Sequence, residues 1–157
     1  MIDDIRAILD GYLDTRVTYR TPDSNLPVVR SIVRTADQLD QLLRSTALDS
    51  LKVRRSWCKG AWTPTPWIVA LDSRHTTTTQ SWFYPVLLFR ADGSGLYLSL
   101  SVATGRPFGT PNRTELIQIA NRAKRFRSAF GSLGAIGLAS DPELDLRVER
   151  GVGVGFK

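Results

Sequence analysis

Few residues in this chain are of the types that carry covalent or metal chemistry, and their positions argue against a catalytic centre. His75 is the only histidine and Cys58 the only cysteine. His75 stands in the polar run Arg74-His75-Thr76-Thr77-Thr78-Thr79-Gln80, where an imidazole is ordinarily just solvated, so neither a Ser-His-Asp nor a Cys-His relay is expected. A zinc site built on histidine and cysteine needs more of both. A metal-dependent nuclease needs converging carboxylates, usually with a lysine, yet residues 51–130 hold only Asp72, Asp92 and Glu115. Asp92 has a turn role in Asp92-Gly93-Ser94-Gly95. Gly151, Gly153 and Gly155 alternate with no helix behind them to receive a phosphate, and Gly93-Ser94-Gly95 lacks the strand-to-helix elbow of a hydrolase. No catalytic residue, metal or cofactor is expected, and the chain reads as a binding domain.

What remains is positive charge and flat rings. The 157 residues carry 21 Lys+Arg against 15 Asp+Glu, unevenly placed. Residues 1–50 hold 6 basic against 8 acidic side chains, residues 51–130 hold 12 against 3, and residues 131–157 hold 3 against 4. A middle segment of that sign concentrates anions, with phosphate backbones and anionic headgroups as the natural ligands. Lys52, Arg54 and Arg55, with Arg122, Arg125 and Arg127, are the expected phosphate contacts. The arginines of residues 113–127 equally fit a solvated helix face. Residues 1–14 carry acids where a secretory signal needs a basic start, and no apolar run approaches the ~20 residues of a membrane span. One cysteine allows no internal disulfide, which suits a reducing, cytoplasmic setting. No membrane partner is expected.

The elements that must position these groups follow from periodicity. Ile2, Ile5, Ile8, Leu9, Tyr12 and Leu13 have helical spacing with acids between them, predicting a helix over residues 2–13. Residues 14–26, ending at Pro27, read as a loop. Thr35 and Gln38 have capping-box spacing ahead of Leu39, Leu42 and Leu43, so a second helix is expected from Thr35. The period then changes to that of strands at 52–57, 67–71, 82–89 and 96–102. A turn-rich CKGAWTPTP follows the first strand, and Asp92 to Gly95 makes a hairpin between the last two. Asn112 caps a third expected helix, with Leu116, Ile119, Ala120, Ala123, Phe126 and Phe130 on one face. A Gly-rich loop, a strand at 144–148 and a Gly-Val-Gly-Val-Gly tail complete the chain. The fold class expected is α+β: one domain over 1–157, a mainly antiparallel, curved β-sheet flanked by helices.

Three segments in sequence, Cys58-Lys59-Gly60-Ala61-Trp62, Pro66 to Asp72 (PWIVALD), and Tyr84 to Phe89 (YPVLLF) leading to Gly95 to Leu100 (GLYLSL), resemble the McrB N-terminal-like DNA-binding family of modification-dependent restriction. The clear match is the core motif region 52–102. The resemblance implies a module that binds duplex DNA carrying methylated or hydroxymethylated cytosine with lax sequence demands and flips the modified base into a pocket. It also implies a GTPase motor or nuclease domain, in the same chain or another, that the module targets. By position Trp67, Tyr84 and Leu88 match the family's base pocket. Trp57, Lys59, Gly60 and Trp62 fall on a loop expected to enter a groove or support the opened duplex. Lys59 stands where McrB has an aromatic residue packing on the flipped base, so base identity does not carry over. Ser101-Val102 departs from a more polar pair common in the family. The family usually continues past Phe156 with a further helix, so the chain is expected to be a piece of a longer protein.

The physical basis is that flipping costs a few kcal/mol of stacking and pairing. Stacking on an aromatic wall returns ~1–3 kcal/mol. Trp and Tyr on strands also serve as plain core residues, and Trp62 and Trp82 fit that role. The alternative function is a single-stranded nucleic-acid or RNA-binding module without modification specificity, using the same rings.

Overall fold

The computed structural model describes residues 1–58, 60–103, 112–129 and 144–148, without the side chains of 126, 127 and 129. Helix α1 (Ile2–Thr18) and helix α2 (Pro27–Ser45) precede a four-stranded sheet of β1 (Leu51–Cys58), β2 (Trp62–Asp72), β3 (Phe83–Phe89) and β4 (Leu96–Val102), and helix α3 (Arg113–Ala129) follows. The sheet is an antiparallel meander in the order β1-β2-β3-β4. The architecture is α+β.

Both first helices run longer than their sequence signals suggest. In α1 the acids Asp3 and Asp4 sit in the first turn and Arg16 in the last, each complementing the helix dipole. Residues 14–18, expected as loop, contain no glycine or proline, and the helix stops only where Tyr19 turns extended (φ −105°, ψ 114°). Pro27, taken as the end of a loop, opens α2 instead: the proline ring presets φ, and its missing N–H is one the first turn could not use. Thr35 is therefore no cap. It lies fully buried inside α2 and its hydroxyl donates to the Ser31 carbonyl at 2.8 Å, the back-bonding that lets a threonine sit inside a helix.

The helices pack on one face of the sheet. Ile8 and Tyr12 of α1 and Val28, Val29, Ile32 and Ala36 of α2 close over Ile68 of β2 and Phe89 of β3. Burial of an aliphatic side chain such as Ile8 or Ile32 contributes about 1.5–3 kcal/mol, so this face holds the fold together. Arg34 of α2 fastens Asp4 of α1, Nε to Oδ1 at 2.8 Å, and holds that carboxyl below its usual range. Gly93, in the β3–β4 turn at φ +73°, lies so close to α1 that a Cβ there would run into the Leu9 carbonyl oxygen.

Three other expectations change. The turn-rich stretch 58–66 is mostly strand: β2 starts at Trp62, and Pro64 and Pro66 fall between the Trp62–Cys58 and Trp67–Ser56 pairs, inside the register shift of β1 against β2. Proline is tolerated there because bulges and edges leave its missing donor without consequence. Residues 144–148 form no strand. They are tied to the sheet by Ala91 N–H to the Leu146 carbonyl (2.9 Å) and by Arg90 to Asp145 (3.3 Å). Asn112 does cap α3, in a reciprocal box with Glu115: each backbone N–H donates to the other's side chain, at 2.8 and 3.0 Å. On the expected apolar face of α3, Leu116 is 53 % exposed and Ile119 and Ala123 are half-buried, and the helix meets the sheet chiefly along β4. Phe130, the Gly-rich loop and the terminal Gly-Val tail lie outside the described residues, as does the Phe126 side chain.

Candidate nucleic-acid interface

Side chains alternate across a strand, and directly paired residues share a face. The register therefore assigns the sheet's second face, away from α1 and α2, row by row. One row reads Ser56, Trp67, Leu88, Tyr97; the next reads Arg54, Val69, Val86, Ser99; beyond them lie Lys52 beside Leu71, and Tyr84 beside Ser101. Trp67, Tyr84 and Leu88, separated by up to 21 positions in sequence, thus stand on one face. Trp67 lies directly opposite Leu88, while Tyr84 lies four residues along β3, roughly 13 Å away at the rise of a strand.

This face has its own apolar cluster. Val69, Leu71, Val86 and Leu88 are buried beneath Leu146, with Trp67, Tyr84, Tyr97 and Val148 packed around them. Leu88 is 4 % exposed, so it offers almost no surface of its own. Trp67 and Tyr84 remain half-buried at the margins. The Tyr84 hydroxyl donates to the Thr79 carbonyl at 2.9 Å, and burial pushes its phenol above its ordinary range, so it stays protonated as a donor. Tyr97 and Leu146 were not singled out from sequence. Tyr97 alternates with Ser99 and Ser101 and carried that signal; Leu146 carried none, because its contact is purely tertiary.

The basic residues of β1 are divided between the two faces. Lys52 and Arg54 are exposed on the side of Trp67, and no salt bridge joins either to another described residue. Arg55 points to the helix side, where it pairs with Asp37 of α2 at 3.2 Å. Between α2 and this edge strand runs a groove lined by Asp37, Asp40, Arg44, Lys52 and Arg54. Asp40 there is held below its usual range by Arg44 and, more weakly, by the Val53 backbone N–H and Lys52; occupying an outward N–H blunts the edge against pairing with another chain. Arg122 and Arg125 are exposed on α3; the Arg127 side chain lies outside the described residues.

In the loop of Trp57, Lys59, Gly60 and Trp62 the two indoles are turned inward. Trp57 and Trp62 both pack into the helix-side core. The Trp62 indole N–H donates to the Tyr19 carbonyl at 2.6 Å, satisfying the exposed end of α1, and its ring meets Tyr12 edge-on at 5.6 Å. The Tyr12 hydroxyl in turn reaches the carbonyls of Trp57 (3.1 Å) and Thr63 (2.7 Å). Both indoles therefore anchor the base of the loop. Its exposed tip has Gly60 at φ +81°, while Lys59 lies outside the described residues.

A second aromatic group stands at the far end, on the β2–β3 connection. Trp82 is 46 % exposed and stacks on His75 (centroids 4.8 Å apart, planes 12°) and on Phe83 (5.3 Å, 22°). Its φ is +69°, a left-handed conformation that costs a bulky residue roughly 1–3 kcal/mol. The threonine run beneath is built, not slack. Thr76, buried, accepts from Thr78 N–H and bonds the Ser81 hydroxyl at 2.7 Å, and Thr78 accepts from Gln80 N–H.

Among the described residues no group of three or more His, Cys, Asp or Glu is placed to hold a metal ion, and no helix is long and apolar enough to cross a membrane. Searches among curated proteins and among solved structures returned no match. The model of the family described as MrcB-like, N-terminal domain matches residues 7–149, which takes in α1 from residue 7 onward, α2, the whole sheet, α3 and the Leu146 segment. The chain belongs to the MrcB-like N-terminal domain family.

Proposed function

We propose that this domain binds duplex DNA and reads a modified base, methylated or hydroxymethylated cytosine, held outside the helix against the second face of the sheet. The observation that carries the reading is that Trp67, Tyr84 and Leu88 share that face with two exposed cations, Lys52 and Arg54. Family membership supports the DNA-binding part. The energetics suit the arrangement: a flat apolar wall returns stacking lost on flipping, while the cations on β1 and on α3 hold phosphates irrespective of sequence. The domain serves as a targeting module with no cofactor and no catalytic centre of its own. Cleavage and GTP hydrolysis belong to a motor or nuclease domain in the same chain or another, and the setting is cytoplasmic.

The test is a duplex carrying a fluorescent base analogue at the target cytosine. Binding should brighten the analogue as it leaves the stack, and Trp67→Ala or Tyr84→Ala should abolish the brightening while leaving salt-sensitive binding in place. A melt must accompany Trp67→Ala because the ring packs against Leu88 and its neighbours. Unchanged brightening in both folded variants would remove these residues from the pocket.

A further inference from the structure

We infer that the β2–β3 tip is a second base-contacting element: the ring stack of His75, Trp82 and Phe83 receives an unpaired nucleobase of the bound DNA on its exposed aromatic surface. The inference rests on the DNA-binding reading above and adds a site to it. Four observations converge. Near-parallel rings already stacked at 4.8 and 5.3 Å present the geometry on which a base continues the column, and stacking of this kind is indifferent to base identity. An indole 46 % exposed in a strained left-handed conformation is a poor way to fill a core, and strain of this kind collects at binding sites. The Thr76–Thr78–Gln80 and Thr76–Ser81 hydrogen bonds fix the tip in advance, so little ordering entropy is lost when a ligand arrives. Finally, the Tyr84 hydroxyl donates to the Thr79 carbonyl of the same loop, so the platform adjoins the Tyr84 edge of the proposed pocket. A base leaving the stack leaves its partner unpaired, and a platform beside the pocket is placed to take one of the two.

The residue that separates this role from a structural one is Trp82, because glycine adopts its φ without strain. Trp82→Gly relieves the backbone and removes the ring; Trp82→Phe keeps a flat ring. Three DNAs are compared at fixed salt: a duplex with one methylated cytosine, the same duplex unmodified and fully paired, and the single strand. We expect Trp82→Gly to melt close to wild type yet bind the methylated duplex and the single strand about tenfold or more weakly, with little change on the paired duplex, and Trp82→Phe to recover most of the loss. Tryptophan fluorescence should be quenched on binding in wild type and less so in Trp82→Phe. If Trp82→Gly is folded and binds all three DNAs as wild type does, or loses affinity equally for all three, the platform is refuted while the DNA-binding reading stands. If wild type binds none of them, both fall together.

Discussion

The division of the β1 cations between two faces gives a prediction that sequence position alone would not. Lys52 and Arg54 are exposed opposite Leu71 and Val69, on the face of Trp67, whereas Arg55, the next residue, is turned to the helix side and neutralised by Asp37 at 3.2 Å. Each phosphate contact contributes about 0.9 to the slope of log affinity against log salt. Replacing both Lys52 and Arg54 by glutamine should therefore make the slope shallower by about 2. Between 50 and 200 mM salt, wild type should then lose roughly one decade more affinity than the double variant. Arg55→Gln should leave the slope unchanged, since its charge lies across the sheet and is already paired. Screening over ~10 Å at these salt levels removes what field remains. The assay is a titration of a labelled duplex at four or five salt concentrations, with melts confirming that changes at exposed side chains stay within about 0.5 kcal/mol. If Arg55→Gln flattens the slope as much as Arg54→Gln does, DNA does not lie on the face proposed.

Further outcomes concern three residues of the scaffold. Tyr12→Phe removes the hydroxyl that reaches the Trp57 and Thr63 carbonyls and should cost about 1–3 kcal/mol, read as a lower melting temperature. Burial pushes the Tyr12 phenol well above its ordinary value near 10, so its stabilisation is complete below pH 10 and is lost as pH rises toward the folded value; an alkaline melt series should show that loss in wild type and less of it in Tyr12→Phe. Arg34, through its hydrogen bond, lowers the Asp4 carboxyl, so the contribution of this α1–α2 tie is present above about pH 4 and disappears as pH falls below it; Asp4→Asn should flatten that part of an acid melt series. Gly93→Ala forces a left-handed alanine into the Leu9 carbonyl and should destabilise by about 2–4 kcal/mol, visible as a lower denaturant midpoint.

The strands were legible because their alternation is local: within β3, Tyr84 and Leu88 share a parity, so their common face could be read from spacing. That Trp67 joins them depends on the Trp67–Leu88 register, and the helix-side placement of Trp57 and Trp62 depends on a register shift next to the turn and on Tyr12 of a distant helix. No local pattern encodes either. Strand parity puts Arg54 and Arg55 on opposite faces, yet both were expected to meet phosphate, because which parity meets the helices is decided only by packing. Thr35 shows the converse error. A residue type that caps helices also back-bonds inside them, and Val28, Val29 and Ile32 ahead of it carried the helical period that Pro27 masked. Trp82 was visible as a residue but not as a site, since its exposure and its stack with His75 arise from how the threonine loop folds.

That the second face of the sheet distinguishes a modified base from its parent is tested by the ratio of dissociation constants for one duplex with and without a methyl or hydroxymethyl group on a single cytosine, at fixed salt, in wild type and in Trp67→Ala. Wild type should bind at least one modified duplex more tightly, and in Trp67→Ala that ratio should fall by about one to two decades, with little change in affinity for the unmodified duplex. Equal affinities of wild type for all three duplexes would refute modified-base reading by this face.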